Sequence, residues 1–190
     1  MGNHLIYLAA GSSRRFGENK LFYPVNGRPM YLWTLEVLEN LVKHRGDCRL
    51  LVVSRYREIL REAEGRGIQA VDSPESEKGI SHSIRAGISA LGKVEEDDFL
   101  LFAVADQPYL TEDSVNRLLD CAGEGVEGAS LCWGQRPGNP TLFSAKLLPE
   151  LLALEGDTGG RAVLRRHKCL FVQALSPQEL EDMDTPVTQE

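Results

Sequence analysis

The chain has 190 residues, enough for one domain that buries its own core without disulfide staples. Its 21 basic and 28 acidic residues leave a formal net charge of −7, which speaks against sequence-independent nucleic-acid binding, because that needs basic patches to neutralise phosphates. A hydrophobic content of 42% argues against disorder, and no apolar run approaches the roughly 18 residues of a membrane span.

In chain order, Leu5 to Ala10 reads as a buried strand. "PMYLWTLEVLENLVKHRG" reads as a helix, with Pro29 in its first turn and Tyr31, Leu35, Leu38 and Val42 on one apolar face. Lys43, His44 and Arg45 suit the negative end of its dipole, and Gly46 can end it. "RLLVVS" is a second strand, followed by a polar helix to Gly65 and a short strand, "IQAV". A helix follows Gly79 through "SIRAGISAL", and "DFLLFAVAD" gives the strongest strand signal in the chain. Thr111 is placed to cap a helix whose first turn holds Glu112 and Asp113 and whose apolar face is Val115, Leu118 and Leu119. From about Ser130 the pattern is less regular and reads as further strands and short helices over one edge.

Alternating strands and helices predict βαβ units: a Rossmann-like, three-layer α/β/α fold around a mostly parallel sheet. The chain reads as a single domain, with residues to about 128 as a nucleotide-binding half and the remainder as an acceptor-binding half. Ligands of such sheets bind beyond the carboxyl ends of the strands. Two of those ends carry chemistry: Gly11 to Lys20 after the first strand, and Asp106 after "LLFAVA".

The first loop is neither of two familiar phosphate loops. A Walker loop needs four residues between its glycines, and five separate Gly11 from Gly17; G-x-G-x-x-G is absent as well. What remains is a glycine-containing turn whose backbone N–H groups can face an anion that Arg15 and Lys20 neutralise. The plainer alternative is a solvated loop with scattered charge, and Arg14 reads as exposed in either case. Cys48, Cys121, Cys132 and Cys169 are scattered, without a C-x-x-C pair, so neither a zinc site nor a disulfide framework is expected. The short N-terminal apolar run has no basic region before it, and Ile6 stands where myristoylation prefers Ser or Thr. The expected setting is cytoplasmic.

"LAAGSSRRFGENK" resembles the signature L-A-A-G-x-S-x-R-x-G-x-x-K of the MobA-like nucleotidyltransferases, within the nucleotide-diphospho-sugar transferase superfamily, and resembles the molybdenum cofactor cytidylyltransferases among them most closely. Leu8, Ala9, Ala10, Gly11, Ser13, Arg15, Gly17 and Lys20 all match. "SPESEKGISHSIRAGI" is similar to the family's N-P-x-x-x-x-G-M-S-S-S-L-x-x-G-L segment, with Ser73, Ile80 and His82 as departures. "ADQPYLT" is similar to D-Q-P-x-[LIV]-[ST], "GNPTLF…LEGDTGGRAVL" to the segment holding G-D-x-G-A-R, and "EDMDTP" to D-I-D-T-P. The motifs run in order through nearly the whole chain.

The resemblance implies attack of an acceptor's terminal phosphate on the α-phosphorus of a nucleoside triphosphate, with loss of pyrophosphate. It implies that Leu8, Ala9, Ala10, Gly11 and Ser13, with Gly79, Ser81 and Ser83, contact the nucleotide, and that Arg15 and Lys20 bind the triphosphate. It implies Mg²⁺ on Asp106 with Asp182 or Asp184, and contacts from Arg136, Asn139, Asp157 and Arg161 to a molybdopterin or molybdenum cofactor acceptor. Each residue has a plainer reading: Ser81 and Ser83 as helix caps, Trp133 as core rather than a pterin platform, Asp157 and Arg161 as a helix ion pair. The chemistry needs alignment and charge neutralisation rather than a side-chain nucleophile, which agrees with a chain that shows no Ser-His-Asp arrangement. Guanylyl-transferring relatives usually read L-A-G-G, and a methyl at Ala10 narrows the pocket beside the base, so CTP is expected over GTP. A molybdenum hydroxylase would receive the product. The rivals are a GTP-using enzyme, a sugar-phosphate-type nucleotidyltransferase, and a molybdopterin carrier without chemistry.

Overall fold

The computed structural model describes residues 1–11 and 19–183. A seven-stranded sheet, ordered β5-β4-β1-β6-β8-β7-β9, forms the centre. Its strands are β1 (Asn3–Leu8), β4 (Cys48–Ser54), β5 (Gln69–Asp72), β6 (Phe99–Val104), β7 (Gly128–Trp133), β8 (Arg136–Ser144) and β9 (Cys169–Gln173). Neighbouring strands pair in parallel from β5 to β6 and between β7 and β9. Only β8 runs against the rest, antiparallel to both β6 and β7. A small hairpin, β2 (Pro24–Val25) with β3 (Arg28–Pro29), stands apart and turns through Asn26 and Gly27 at φ 49° and 78°. Asn-Gly favours this left-handed backbone, a signal present in the sequence but not read above.

Strand alternation sorts the core into two layers. Leu5 and Tyr7 of β1, with Phe99, Leu101 and Ala103 of β6, face one cluster; Ile6 and Leu8, with Leu100 and Phe102, face the other. Both faces are covered, which is why these strands read as unbroken apolar runs. The first cluster is closed by α1 (Met30–His44), α2 (Arg57–Gly65) and α4 (Glu112–Leu119), through Leu35, Leu38, Ile59, Val115 and Leu118. The second is closed by α3 (Ile80–Ala90), α5 (Leu148–Leu152) and α6 (Arg161–Leu164), through Ile84, Ile88, Leu151, Val163 and Leu164. Each fully buried aliphatic side chain contributes about 1.5–3 kcal/mol of transfer free energy. Helix α3 lies so close to the sheet that a Cβ on Gly87 would come within 2.7 Å of the Ile6 side chain.

The elements expected from the sequence form with small shifts. On α1, Leu41 is fully buried and Val42 only partly, so the apolar face is rotated from the one expected. Thr111 does cap α4, accepting from the Ser114 amide at 3.3 Å. The later region is more ordered than its pattern suggested. It extends the sheet beyond β6 with a β7–β8 hairpin and then β9, reached through α5 and α6. No described helix is long and apolar enough to cross a membrane.

Candidate nucleotide and acceptor site

The carboxyl ends of β1 and β6 lie side by side, paired at Leu8 and Val104. The Ala105 amide donates to the Leu8 carbonyl at 3.1 Å, which keeps the two exits together and holds Asp106 at the tip of β6. Lys20 opens a single 3-10 turn, Lys20–Phe22, capped by the Asn19 side chain. Buried Leu21 anchors that turn, and the Phe22 ring packs edge-on against Tyr31 at 5.6 Å and Tyr56 at 5.9 Å. Thus fixed, Lys20 Nζ meets Asp106 Oδ2 at 2.9 Å, with the two side chains only 12% and 24% exposed. Two residues 86 positions apart form a partly desolvated charge pair at the strand ends. Beneath it, Tyr7 donates to the Tyr31 carbonyl at 2.7 Å, and burial, with the nearby Asp106 carboxylate, pushes its phenol well above the usual 10.

The loop after β1 is tied down through its carbonyls. Ser54 Oγ donates to the Ala9 carbonyl at 2.7 Å, and the Tyr56 hydroxyl donates to the Gly11 carbonyl at 2.9 Å. Ala9 and Ala10 are buried, and Gly11 is exposed. Ser13 and Arg15 lie outside the described residues, as does Asp184.

The C-terminal segment closes against the same corner. The Met183 amide donates to the Asp106 carbonyl at 3.0 Å, and Gln107 Nε2 donates to Asp182 Oδ1 at 2.8 Å. Gln107 is itself held by Thr34, whose hydroxyl donates to its carbonyl at 2.8 Å. Further back, the fully buried Glu179 carboxylate accepts from the Thr111 amide and hydroxyl, the Ser114 hydroxyl and the Leu175 amide, which fastens the segment to α4. Asp182 is therefore delivered beside Asp106 by Gln107 and Glu179, two residues without a role in the sequence reading. Gln107 stood inside the "ADQPYLT" stretch, whereas the partners of Glu179 left no local signal.

On the α3 side of the sheet a cleft of about 400 Å³ opens. Leu8, Ile80, Ile84, Phe102 and Val104 contribute apolar walls; Asn139, Thr141, Asp157, Arg161 and Arg165 supply polar groups. The structure thus gathers three of the four residues expected for the acceptor. Arg136 lies instead at the exposed turn of the β7–β8 hairpin, across from Trp133, and does not line the cleft. Asp157 and Arg161 form no ion pair among the described residues; Arg161 Nη1 donates to the Pro137 carbonyl at 3.2 Å. Trp133 is 45% exposed, which removes the core reading. Arg165 and Thr141 were not anticipated.

The glycine-serine segment is tied into the fold at several points. Gly79 sits at φ 130°, and a Cβ there would lie 2.2 Å from the Gly156 carbonyl carbon. The Ser81 amide donates to the Gly156 carbonyl at 3.1 Å, so this segment is locked to the loop that precedes Asp157. Ser83 is committed to a buried chain of hydroxyls, donating to Ser76 Oγ at 2.7 Å, which donates to Ser73 Oγ at 2.7 Å. Ser81 is fully buried, and its hydroxyl has no partner among the described residues. Neither serine caps α3 through its side chain.

A doubly covered, mostly parallel sheet with charged groups gathered where its strands end defines a Rossmann-like nucleotide-binding architecture. The family model of the MobA-like NTP transferase domain matches residues 5–170, and the chain belongs to that family of nucleotidyltransferases. The purine catabolism protein PucB of Bacillus subtilis is 30% identical over 194 residues, 95% of this chain and 91% of that protein. A probable molybdenum cofactor guanylyltransferase of Pyrococcus horikoshii is 44% identical over 59 residues, 29% of this chain and 28% of its own. Among solved structures, a nucleotidyl transferase from Methanothermobacter shares the fold with a TM-score of 0.79 at 22% identity, over 97% of this chain and 92% of that one.

Proposed function

We propose that the chain transfers CMP from CTP to the terminal phosphate of molybdopterin or its molybdenum-loaded form. The observation that carries this reading is the Lys20–Asp106 pair at the joined ends of β1 and β6, beside a cleft with apolar walls and arginines. In the reaction an oxygen of the acceptor phosphate bonds to the α-phosphorus of CTP, the bond from that phosphorus to the bridging oxygen breaks, and pyrophosphate leaves. Lys20, with Arg15, neutralises the phosphates, and the backbone from Leu8 to Gly11 holds base and ribose. The charge pair keeps Lys20 in place before nucleotide arrives, so that no large rearrangement precedes the reaction.

The donor set suits a hard cation: Asp106 and Asp182 offer only oxygens, and a magnesium ion takes one or two carboxylates and completes its shell with substrate phosphates and water. Asp184 is the alternative second ligand. When bound, Mg²⁺ would supply charge neutralisation at the phosphates. Residues Asn139, Asp157 and Arg161 orient the acceptor, the arginine suiting a phosphate and the apolar wall a planar pterin. The setting is cytoplasmic, and a molybdenum hydroxylase takes the product, a reading that fits the purine catabolism in the name of the Bacillus relative.

Ala10 favours CTP, because its buried methyl narrows the space beside the base. The guanylyltransferase name of the Pyrococcus relative favours a second reading, GMP transfer from GTP to the same acceptor. Pyrophosphate release with molybdopterin, Mg²⁺ and each of CTP, GTP, ATP and UTP separates them. Release with CTP alone supports the proposal; release with GTP alone establishes the second reading. No release from protein that binds the pterin overturns both in favour of a carrier or another acceptor.

A further inference from the structure

Strand β8 carries the cleft on one face and the C-terminal segment on the other. Its side chains alternate: Asn139 and Thr141 line the cleft and Phe143 joins the core layer beneath it, whereas Leu142 belongs to the opposite layer. Gly138 shares the side of Leu142, and there it meets Leu180. A Cβ on Gly138 would come within 2.9 Å of Leu180 Cδ2, 3.1 Å of its Cδ1 and 3.2 Å of its Cγ. The whole fork of the leucine stands in the way, so turning that side chain does not clear the space. Gly138 does not adopt a positive φ, so this glycine serves close approach rather than a turn.

Leu180 ends a 3-10 turn, Pro177–Leu180, and is buried. Just beyond it, Asp182 and Met183 reach the tip of β6. Glu179 holds this segment to α4, Leu180 seats it on β8, and the Met183 amide joins it to the Asp106 carbonyl. One nitrogen reads both the seat and the carboxylate: Gln107 Nε2 donates to Asp182 Oδ1 at 2.8 Å and to the Leu180 carbonyl at 3.4 Å. Both partners only accept, which fixes the orientation of the amide. Its Oε1 is buried and has no partner among the described residues. Gln107 is itself buried and pinned through its carbonyl by Thr34, so it has little room to follow a displaced Leu180.

We propose that Leu180 and Gly138 are positioning residues for the divalent cation, their contact setting where Asp182 stands beside Asp106. The proposal rests on the metal reading above and adds to it. Asp182, rather than Asp184, is the second ligand, and the glycine of "GNPTLF" serves the metal corner while its neighbour Asn139 serves the acceptor. A methyl on Gly138 lifts Leu180 and draws its carbonyl and Asp182 away from Gln107 together. Losing a group that orients a ligand costs about ten- to a hundredfold in metal affinity.

Mn²⁺ with CTP on the purified full chain, followed by water-proton relaxation without acceptor, tests the proposal apart from turnover. The unaltered chain binds, and Asp106→Asn and Asp182→Asn each weaken binding. Gly138→Ala weakens it about tenfold. Adding Leu180→Ala makes room for the new methyl, and the double variant binds more tightly than Gly138→Ala alone. In the Asp182→Asn background Gly138→Ala has no further effect, as a residue acting through Asp182 requires. In pyrophosphate release, Gly138→Ala raises the Mg²⁺ needed for half-maximal rate about tenfold and leaves the acceptor KM unchanged. Mn²⁺ affinity that Gly138→Ala leaves unchanged, with or without a raised acceptor KM, overturns the positioning role while the metal reading stands. A full further loss in the Asp182→Asn background does the same. Binding indifferent to Asp182→Asn overturns the proposal in favour of Asp184. No Mn²⁺ binding by the unaltered chain overturns the metal reading, and the proposal with it. Should Gly138→Ala fail to fold, Leu180→Ala, which unseats the segment, enters the same cycle against Asp182→Asn with the same expected and overturning results.

Discussion

The corner where β1 and β6 end and the cleft on the α3 side differ in kind. The corner is built from charge: Lys20 on Asp106, Gln107 on Asp182, and the Glu179 tether behind them. The cleft is built from shape, with apolar side chains from β1, α3 and β6 and a few polar groups, among them Asp157, Arg161 and Arg165. A nucleoside triphosphate presents charge before anything else, whereas a pterin phosphate presents a flat ring with one anionic end. Under the proposed function the two adjoining surfaces serve two unlike substrates, and mutations on the two should then separate kinetically.

The largest effect is expected at the corner. Asp106→Asn should lower kcat by about a hundred- to a thousandfold with the fold intact, as rates and circular dichroism would show. Chelation of divalent metal should do the same to the unaltered chain. Next comes the contact that locks the start of α3 to the loop before Asp157. Gly79→Ala forces a Cβ to 2.2 Å from Gly156 at φ 130°, and should cost about 3 kcal/mol in urea unfolding. In the cleft, Arg161→Ala should raise the KM for the acceptor about tenfold while leaving that for nucleotide unchanged. If both constants rise together, the division into two surfaces fails. Ala10→Gly should move the CTP-to-GTP preference by up to about tenfold, since one methyl decides little more.

The smallest effect is expected at a residue that lines neither surface. His167 is held between Glu150 at 2.6 Å and Glu127 at 3.3 Å. The Glu150 hydrogen bond, reinforced by Glu127 and partly opposed by burial, raises its pKa above the usual 6.5. A raised pKa means that the folded chain holds this proton more tightly than the unfolded one. The stabilisation is therefore complete below pH 6.5 and fades as pH climbs through the raised value. The difference in melting temperature between the unaltered chain and His167→Gln should shrink as pH rises from about 6 to about 9.

The sequence made the corner legible to the extent that its chemistry sat on single strands. The buried strands announced themselves by apolar runs, and Lys20 and Asp106 by standing where those runs stop. Thr111 was readable as a cap because the hydrogen bond spans three residues. Contacts made across long stretches were not readable. Gly79 meets Gly156, and Gln107 meets Asp182, only once the sheet has formed. The hydrogen bond from Ser83 to Ser76 was not readable either, although a helix start near a strand end needs its buried polar groups satisfied. Arg136 stood next to the residues of the cleft in sequence, but the β7–β8 turn carries it to the exposed end of the hairpin. The antiparallel insertion of β8 had no local mark either, since period-two patterning does not encode strand direction.

The most direct test follows the α-phosphate. CTP labelled at that phosphorus is incubated with molybdopterin, Mg²⁺ and the chain, and the products are separated. The account predicts that the label appears on the pterin with one pyrophosphate released for each, and that Asp106→Ala abolishes both. Label recovered as free CMP, or pyrophosphate released without pterin, would contradict it.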